Sequence, residues 1–132
     1  MRAGPLPNIA GLLLGIRFVR AHLAEIREYE DALNRRLREG LEHIPGIRCL
    51  GHPDAPRVGI TSFVPRRMDG GALSDSLDQA GFALRGGLHC APAMHTWLGT
   101  LRSGALRASV GIYNTEEEVD ALVALVERFV QE

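Results

Sequence analysis

The residue with the clearest chemical potential is Cys90, which lies in the segment R-G-G-L-H-C-A at residues 85–91. The two consecutive glycines permit a turn that other residues resist, so the thiol can be presented on an exposed loop. Arg85 and His89 lie close to it in sequence and favour the thiolate, the nucleophilic form of cysteine. The alternative is that Cys90 is a small apolar residue buried in a tight turn. The segment is compatible with both interpretations, a reactive thiol and a structural one.

Histidines around this cysteine raise the question of a metal site. His89, Cys90 and His95 follow a His-Cys-x4-His spacing, which is not a standard zinc pattern. A fourth ligand would have to come from a distant residue such as His43 or His52, so we expect no metal. His95 can instead act as an acid or base beside the thiol, or form a hydrogen bond within the loop.

A second candidate is Arg107, which lies among apolar residues in the strand pattern Leu-Arg-Ala-Ser-Val. An arginine in such a position often has a defined anionic partner, because the guanidinium fork binds a carboxylate or phosphate through two hydrogen bonds. The alternative is an arginine on an edge strand that reaches solvent. The pattern therefore predicts either an anion anchor or a solvated side chain at this position.

The composition excludes one class of chemistry. All 15 basic residues are Arg, none of the 132 residues is Lys, and 16 acidic residues give a net charge of −1. No lysine Schiff base, P-loop lysine or lysine general base can come from this polypeptide. Arginines and acidic residues interleave, which argues against a nucleic-acid-binding surface. The length and the 45% hydrophobic content predict one domain with a sizeable core.

Cysteine usage and hydropathy indicate a cytoplasmic protein. Cys49 and Cys90 lie too far apart for a C-x-x-C motif and are too few for a disulfide scaffold. Cys49 occupies an inward position of a strand pattern, where a structural role is expected. The apolar stretch at residues 9–16 is shorter than the roughly 20 residues that a bilayer requires, and its flanks do not match a signal peptide.

The elements that must position these residues begin with two helical patterns. Residues 1–8 predict a loop, and the pattern that follows to about Arg20 is apolar around most of its circumference. We expect this first helix to be buried or to cover another surface, such as that of a second domain. From Ala21 to about Ile44, apolar residues recur every three or four positions, as in an amphipathic helix.

The rest of the chain alternates strands with helices. Strands are predicted at residues 47–50, 58–64, 82–85 and 106–111, with a short helix at 70–80 and a final helix capped by Thr115. Residues 86–92 are predicted to form a loop. The order α-α-β-β-α-β-β-α predicts an α+β domain, in which a small, mainly antiparallel sheet has helices packed on one face.

Three motifs, taken in order, carry a resemblance to a known family. Residues 7–11 fit P-N-x-x-G, residues 85–91 fit R-x-G-x-H-C-A, and residues 107–120 fit R-x-S…Y-N-T-x-E-E-[IV]-D. The chain thereby resembles the cysteine desulfurases, in the branch that includes the selenocysteine lyases. That family has the class V aminotransferase fold, with pyridoxal phosphate bound in a large domain. This chain is similar to the C-terminal small domain of such fold-type I enzymes.

The resemblance implies roles for three residues. Cys90 matches the nucleophile that attacks the sulfur of L-cysteine, which leaves a persulfide on the protein and releases alanine. Arg107 matches the arginine that holds the substrate carboxylate. His89 lies in the cysteine loop beside the nucleophile and is the other catalytic candidate. The cofactor serves this reaction as an electron sink.

The resemblance also implies what this chain does not supply. The cofactor lysine, the cofactor-stacking histidine and the phosphate ligands of the family belong to the large domain, so no cofactor-binding residue is expected here. We expect residues 1–20 to form an incoming loop and a linking helix from that domain, and residues 21–132 to form the small domain. Gly-Leu-His at residues 87–89 replaces the His-His of many members, which leaves a related lyase or transferase activity open.

These inferences predict the C-terminal domain of a cysteine desulfurase-like enzyme that mobilises sulfur for cofactor or iron–sulfur cluster assembly. We expect the isolated chain to be inactive, because it has no Lys. Expected partners are the large domain, a second copy in a homodimer and a sulfur-acceptor protein, with neither nucleic acid nor membrane. Two alternatives remain: a non-catalytic interaction or dimerisation module that uses the first helix, and a stand-alone thiol transfer domain that uses Cys90.

Overall fold

The computed structural model describes residues 6–52 and 55–132. The elements along them are α1 (Leu6–His43), β1 (Ile47–Cys49), β2 (Ile60–Pro65), α2 (Gly70–Gln79), β3 (Arg85–Gly87), α3 (Pro92–Leu98), β4 (Ala105–Ser109) and α4 (Glu116–Gln131). The first five residues of the predicted incoming loop lie outside the described residues. The element order agrees with the sequence prediction, except that the first two helices are joined and α3 was not predicted.

The four strands form one antiparallel sheet in the order β1-β2-β4-β3. β4 is the last strand in the chain, yet it lies between β2 and β3. Its central residue Arg107 pairs with Ser62 on one side and with Arg85 on the other. α1 and α2 contact the strands, and α4 packs on both of these helices. The predicted α+β architecture, an antiparallel sheet with helices packed on it, is therefore confirmed.

The core lies between the sheet and these helices because the strands alternate buried and more exposed residues. In β2, Thr61 and Phe63 are buried while Ser62 between them is partly exposed, and in β4 Leu106 and Ala108 are buried. The helices contribute residues spaced three or four apart, which share one helix face. These are Leu33, Leu37, Leu41, Leu73, Leu77, Val119, Leu122 and Val126.

α1 combines the two helices that the sequence predicts as separate. The backbone at His22 is non-helical, with φ −117° and ψ 16°, so a kink marks the predicted boundary near residue 20. Every residue from 6 to 25 is exposed, whereas Leu33, Leu37 and Leu41 in the second half are buried. The first half of α1 therefore extends beyond the core with its apolar side chains in contact with solvent.

Side-chain bonds fix α1 against α4. The Tyr29 hydroxyl donates a hydrogen bond to the carbonyl of Asn114 at 2.7 Å. Arg36 donates two hydrogen bonds of 2.7 Å to the carboxylate of Asp120 and forms an ion pair with Glu116 at 2.9 Å. α4 begins with the predicted Thr115 cap, whose hydroxyl accepts a hydrogen bond from the backbone of residue 118. These contacts set the register of the second half of α1.

The structure corrects the prediction in the segment that carries Cys90. The third strand covers Arg85–Gly87 rather than residues 82–85, because pairing with β4 begins at Arg85. The predicted loop is also shorter, since Pro92–Leu98 forms the helix α3 and ends at Gly99 in the left-handed conformation. A seven-residue helix shows too few repeats for its periodicity to be read from sequence. Residues 88–91 therefore form a short turn between a strand and a helix.

Candidate functional site

The backbone of the turn that carries Cys90 adopts an unusual conformation. His89 and Cys90 have φ angles of +50° and +60°, the only positive φ values of non-glycine residues in the described chain. This left-handed region is uncommon for residues with a side chain and costs about 1–3 kcal/mol at each position. The amide of Ala91 donates to the carbonyl of Leu88 at 2.8 Å and closes the turn. Cys90 is exposed, so the structure favours the presented thiol over the buried alternative.

Two glycines bring this turn close to the beginning of β4. Gly104 has a φ of +64°, and a Cβ on it would lie 2.9 Å from the Cα of Gly87. Gly87 itself pairs with Ala105 in the antiparallel register. No residue larger than glycine fits at Gly104 without moving the backbone of Gly87. The first residue of the turn at residues 88–91 therefore lies in space beside the start of β4.

His89 connects the turn to β4 through its ring. Its Nε2 lies 3.0 Å from the carbonyl oxygen of Ala105, and because a carbonyl only accepts, Nε2 carries the proton. Burial lowers the pKa of His89 from 6.5, and the charges of Arg107 and Arg85 lower it further, against the effect of the hydrogen bond. The ring is therefore neutral at pH 7. Its Nδ1 then holds a lone pair, and this atom is buried without a hydrogen-bond partner.

His95 supports the His89 ring. It is buried at 4% exposure, and its Nδ1 lies 2.8 Å from the hydroxyl oxygen of Thr100. The rings of His89 and His95 stack, with centroids 6.1 Å apart. The structure places His95 in α3, bonded to Thr100 just beyond that helix and not within the loop, and its role as an acid or base stays a prediction. Thr100 was not singled out from the sequence, because no motif links residues five positions apart across the end of α3.

Arg107 lies in the middle of β4, on the opposite sheet side from the core residues Leu106 and Ala108. Because β4 is paired on both sides, the alternative of an edge-strand arginine is wrong. The guanidinium Nε is buried without a hydrogen-bond partner, and no carboxylate of the described residues pairs with the side chain. Buried polar groups are rarely left unpaired. The fold therefore leaves a buried donor of a positively charged side chain without a partner among the described residues.

The other sequence candidates lie elsewhere or are not brought together. Cys49 in β1 is partly buried, and burial raises the pKa of its thiol to about 11, so it is protonated at neutral pH. Within residues 6–52 and 55–132, no three His, Cys, Asp or Glu side chains are arranged to hold a metal ion. No helix in the same ranges has both the length and the apolarity of a membrane span.

The site thus combines an exposed thiol and a neutral imidazole with a free lone pair, both in the turn after β3, with an unpaired guanidinium two residues further along β4 from Ala105. A thiol can act as a nucleophile, and a guanidinium can hold a carboxylate. All three residues, Cys90, His89 and Arg107, were proposed from the sequence. What the sequence did not reveal is the contact of His89 with the backbone of Ala105, because that contact depends on strand register.

Comparison with known proteins identifies the family to which the chain is similar. The model of the class-V aminotransferase family matches residues 2–122. A cysteine desulfurase of Salmonella newport is 37% identical over 118 residues, which are 89% of this chain and 28% of that protein. The apo cysteine desulfurase of Thermococcus onnurineus superposes with a TM-score of 0.83 at 30% identity, over 92% of this chain and 30% of that chain.

A second solved structure gives the same result. A cysteine desulfurase of Escherichia coli superposes with a TM-score of 0.70 at 30% identity, over 80% of this chain and 25% of that chain. This chain therefore spans less than a third of the length of each of these three relatives. The family match nevertheless covers most of its own residues, from the exposed half of α1 into α4. The chain belongs to the class-V aminotransferase family, and the relatives it resembles there are cysteine desulfurases.

Proposed function

We propose that this chain is the C-terminal small domain of a cysteine desulfurase-like enzyme and supplies the thiol that takes sulfur from L-cysteine. The observation that carries the proposal is the combination of an exposed Cys90 with the buried, unpaired Nε of Arg107. A free amino acid substrate presents a carboxylate for the guanidinium and a sulfur atom for the thiol. The rest of the site is supplied by a large domain, on the same or on another polypeptide.

Arg107 fixes the substrate in this proposal. Its guanidinium meets the carboxylate of L-cysteine, and the charge-assisted hydrogen bond satisfies the donor that the fold leaves open. β4 is an interior strand, so the guanidinium starts from a rigid backbone. A rigid anchor is what a reaction between two small groups requires, because it holds the substrate sulfur in one place.

Cys90 carries out the transfer. Its thiolate forms a bond to the sulfur of the substrate, the substrate carbon–sulfur bond breaks, and the electron pair remains with the carbon. Protonation of that carbon gives alanine, and Cys90 retains the sulfur as a persulfide. His89 lies next to Cys90 in the turn and offers its free Nδ1 lone pair as a proton acceptor. The persulfide is then available to an acceptor protein, because the residue is exposed.

Pyridoxal phosphate, the cofactor of the cysteine desulfurase family, does not fit this chain by itself. The covalent attachment of that cofactor requires a lysine, and the sequence has none. When bound, the cofactor supplies the electron sink for the substrate carbon. We propose that the large domain holds it and packs against the exposed apolar half of α1, whose members include Leu12, Ile16 and Val19.

The same proposal places the protein in the cytoplasm, in a pathway that delivers sulfur to cofactors or iron–sulfur clusters. Free thiols at Cys49 and Cys90 suit a reducing compartment. In the complete enzyme we expect a homodimer and a sulfur-acceptor partner. Residues 1–20 form the connection to the large domain in this proposal, and residues 21–132 form the small domain.

The sulfur-accepting role of Cys90 is tested without the cofactor. Cysteine persulfide is added to the purified chain, and mass spectrometry locates any added sulfur. Attack of the Cys90 thiolate on the outer sulfur transfers that sulfur and releases cysteine, so no oxidant is needed. We expect one added sulfur on Cys90, the same in the Cys49→Ser variant and absent in Cys90→Ser. Sulfur on Cys49 instead, or none on Cys90, would contradict the role.

The requirement for a large domain is tested separately. The purified chain is incubated with L-cysteine and pyridoxal phosphate, and sulfide and alanine are measured. We expect neither product, since the chain has no lysine for the cofactor. Production of alanine that depends on Cys90 would show that the chain is complete, and the proposal of a missing large domain would be wrong.

A non-catalytic interaction module is a second candidate, which the exposed apolar half of α1 favours. In that case two copies associate through this half of the helix. Light scattering at increasing concentration distinguishes the two, because self-association weakened by Leu12→Glu would support a dimerisation module. A monomer at all concentrations counts against the dimerisation module.

A stand-alone thiol transfer domain is a third candidate. It predicts that the sulfur on Cys90 passes to small thiols at catalytic rates, which the desulfurase proposal does not require.

A further inference from the structure

We propose that a surface site lined by four arginines, which includes neither Cys90 nor Arg107, binds a small molecule carrying two or more phosphate groups. This site, here called the arginine pocket, is lined by Arg48, Arg66, Arg67 and Arg102 and has a volume of about 500 Å³. It lies where the end of β2, the connection from β2 to α2 and the segment before β4 meet. Neither Cys90 nor Arg107 is among its lining residues.

The four arginines lack acidic partners. Some arginines elsewhere in the described chain form ion pairs, as Arg36 does with Asp120 at 2.7 Å and with Glu116 at 2.9 Å. No carboxylate in residues 6–52 and 55–132 forms an ion pair with the arginines of the pocket. Like charges gathered in one concavity repel, so a bound anion stabilises this arrangement. The pocket therefore has an excess of positive charge that residues 6–52 and 55–132 do not neutralise through ion pairs.

The only acidic residue that lines the pocket, Asp69, is engaged elsewhere. Its Oδ2 accepts hydrogen bonds from the backbone amides of Gly71 and Ala72, at 2.8 and 3.1 Å, and so caps α2. The carboxylate therefore serves the helix and not a guanidinium. Its negative charge still opposes an incoming anion, which makes it a useful position for a test.

Hydrogen bonds between the wall segments hold the pocket in shape. The amide of Arg66 donates a hydrogen bond to the carbonyl of Gly46 at 2.7 Å. The amide of Gly70 donates one to the carbonyl of Ser103 at 3.1 Å. A Cβ at Gly70 would lie 2.7 Å from the Ser103 carbonyl oxygen, so the two walls meet at a distance that only glycine allows. Arg48 crosses to α3 and donates to the Leu98 carbonyl at 3.3 Å. The site is therefore formed before a ligand arrives.

The number and type of charged groups indicate the ligand. Guanidinium groups bind phosphate oxygens through paired hydrogen bonds, and four of them exceed what one carboxylate can neutralise. The arginine pocket is wide and open to solvent, and its volume of about 500 Å³ has room for a small molecule with several phosphate groups. The buried residues Val64 and Pro65 add an apolar portion to the lining. A compact polyphosphate, alone or attached to a small organic group, fits these features better than a single carboxylate.

Titration calorimetry of the 132-residue chain at low salt tests the proposal with tripolyphosphate and orthophosphate as probes. We expect tripolyphosphate to bind about tenfold more tightly or better, because it meets more guanidinium groups at once. The double variant Arg66→Ala/Arg67→Ala is expected to weaken tripolyphosphate binding about tenfold. Asp69→Asn retains a good helix cap and removes the negative charge, so it is expected to tighten binding. Circular dichroism confirms that the variants fold.

The matched control is Arg27→Ala, which removes one exposed arginine of α1 far along the chain from the pocket. We expect its affinity for tripolyphosphate to stay at that of the unchanged chain. Equal weakening by Arg27→Ala, or no measurable binding by the unchanged chain, would overturn the proposal. A hexaglutamate peptide that bound more tightly than tripolyphosphate, with the same dependence on Arg66 and Arg67, would overturn it in favour of an acidic protein segment.

Discussion

Arg85 in β3 lies directly opposite Arg107 in β4, so two guanidinium-bearing residues face each other across an antiparallel pair. Neither has an ion-pair partner among the described residues. Like charges directly opposite one another destabilise a sheet. The pair lies at the end of the β3–β4 ladder opposite the turn that carries Cys90, and in the proposed function the substrate brings its carboxylate to Arg107. The repulsion between the two arginines lowers the stability of the sheet, and an anion bound between them should reduce that loss.

Replacement of Arg85 by Thr is expected to raise the free energy of unfolding by a few tenths of a kcal/mol, because it removes the like-charge contact and keeps a strand-forming residue. Urea unfolding followed by circular dichroism measures the change. Sulfate at matched ionic strength should then reduce the difference between the variant and the unchanged chain, because sulfate neutralises the pair only where both arginines are present. A variant that is less stable in chloride would contradict this interpretation.

His89 makes the stability of the chain depend on pH. Its pKa is lower in the folded chain than the ordinary value of 6.5, so the unfolded chain binds more protons as the pH falls below that value. Stability contributed by neutral His89 is therefore present above pH 6.5 and is lost as the pH falls below that value and through the lower pKa of the folded chain.

The variant His89→Gln isolates this effect, since the glutamine amide does not titrate and can still donate to the Ala105 carbonyl. Thermal unfolding is measured at several pH values between about 5 and 8. We expect the melting temperature of the unchanged chain to fall more steeply in acid than that of the variant. Parallel curves for the two proteins would show that His89 does not titrate in this range.

The two thiols are expected to differ in reactivity. Cys90 is exposed, whereas Cys49 is partly buried and the pKa of its thiol is raised to about 11. At about pH 8 only around one in a thousand Cys49 side chains is ionised, so alkylation by iodoacetamide should be at least about tenfold slower there. Peptide mass spectrometry over time gives both rates. Equal rates would mean that Cys49 becomes accessible through local opening.

The two halves of α1 are expected to respond differently to truncation of a leucine. Leu37 is fully buried, so Leu37→Ala should lower the free energy of unfolding by about 2–5 kcal/mol. Leu12 is 66% exposed, and Leu12→Ala should change it by less than about 0.5 kcal/mol. Urea unfolding measures both. A large effect of Leu12→Ala would indicate that the first half of α1 is covered in solution, by another copy or by the rest of the chain.

The elements that sequence predicted well are those specified by neighbours along the chain. The Thr115 cap with Glu118 three residues later predicts the start of α4, and both reciprocal hydrogen bonds are present. The four-residue spacing of Leu33, Leu37 and Leu41 predicts the buried face of α1. These features depend on local geometry, which a single sequence records directly.

The features that sequence missed depend on which strands pair. The position of β4 between β2 and β3 decides that Arg107 belongs to an interior strand, and no local pattern contains that information. The same holds for the start of β3, which begins only where Arg85 meets Arg107. Cys90, His89 and Arg107 could be named from residue types and motif resemblance. Their relation to the carbonyl of Ala105 and to Thr100 could not.

The kink at His22 has a mechanical consequence. The helix before it extends for roughly 25 Å beyond the packed part of the chain, at 1.5 Å per residue. Residues 6–25 are exposed along their whole length, so the part of α1 before the kink can change direction there as one rigid segment. A rotation of about ten degrees at the kink moves the far tip by roughly 4 Å. The kink therefore sets the direction in which the exposed apolar half of α1 extends from the packed part of the chain.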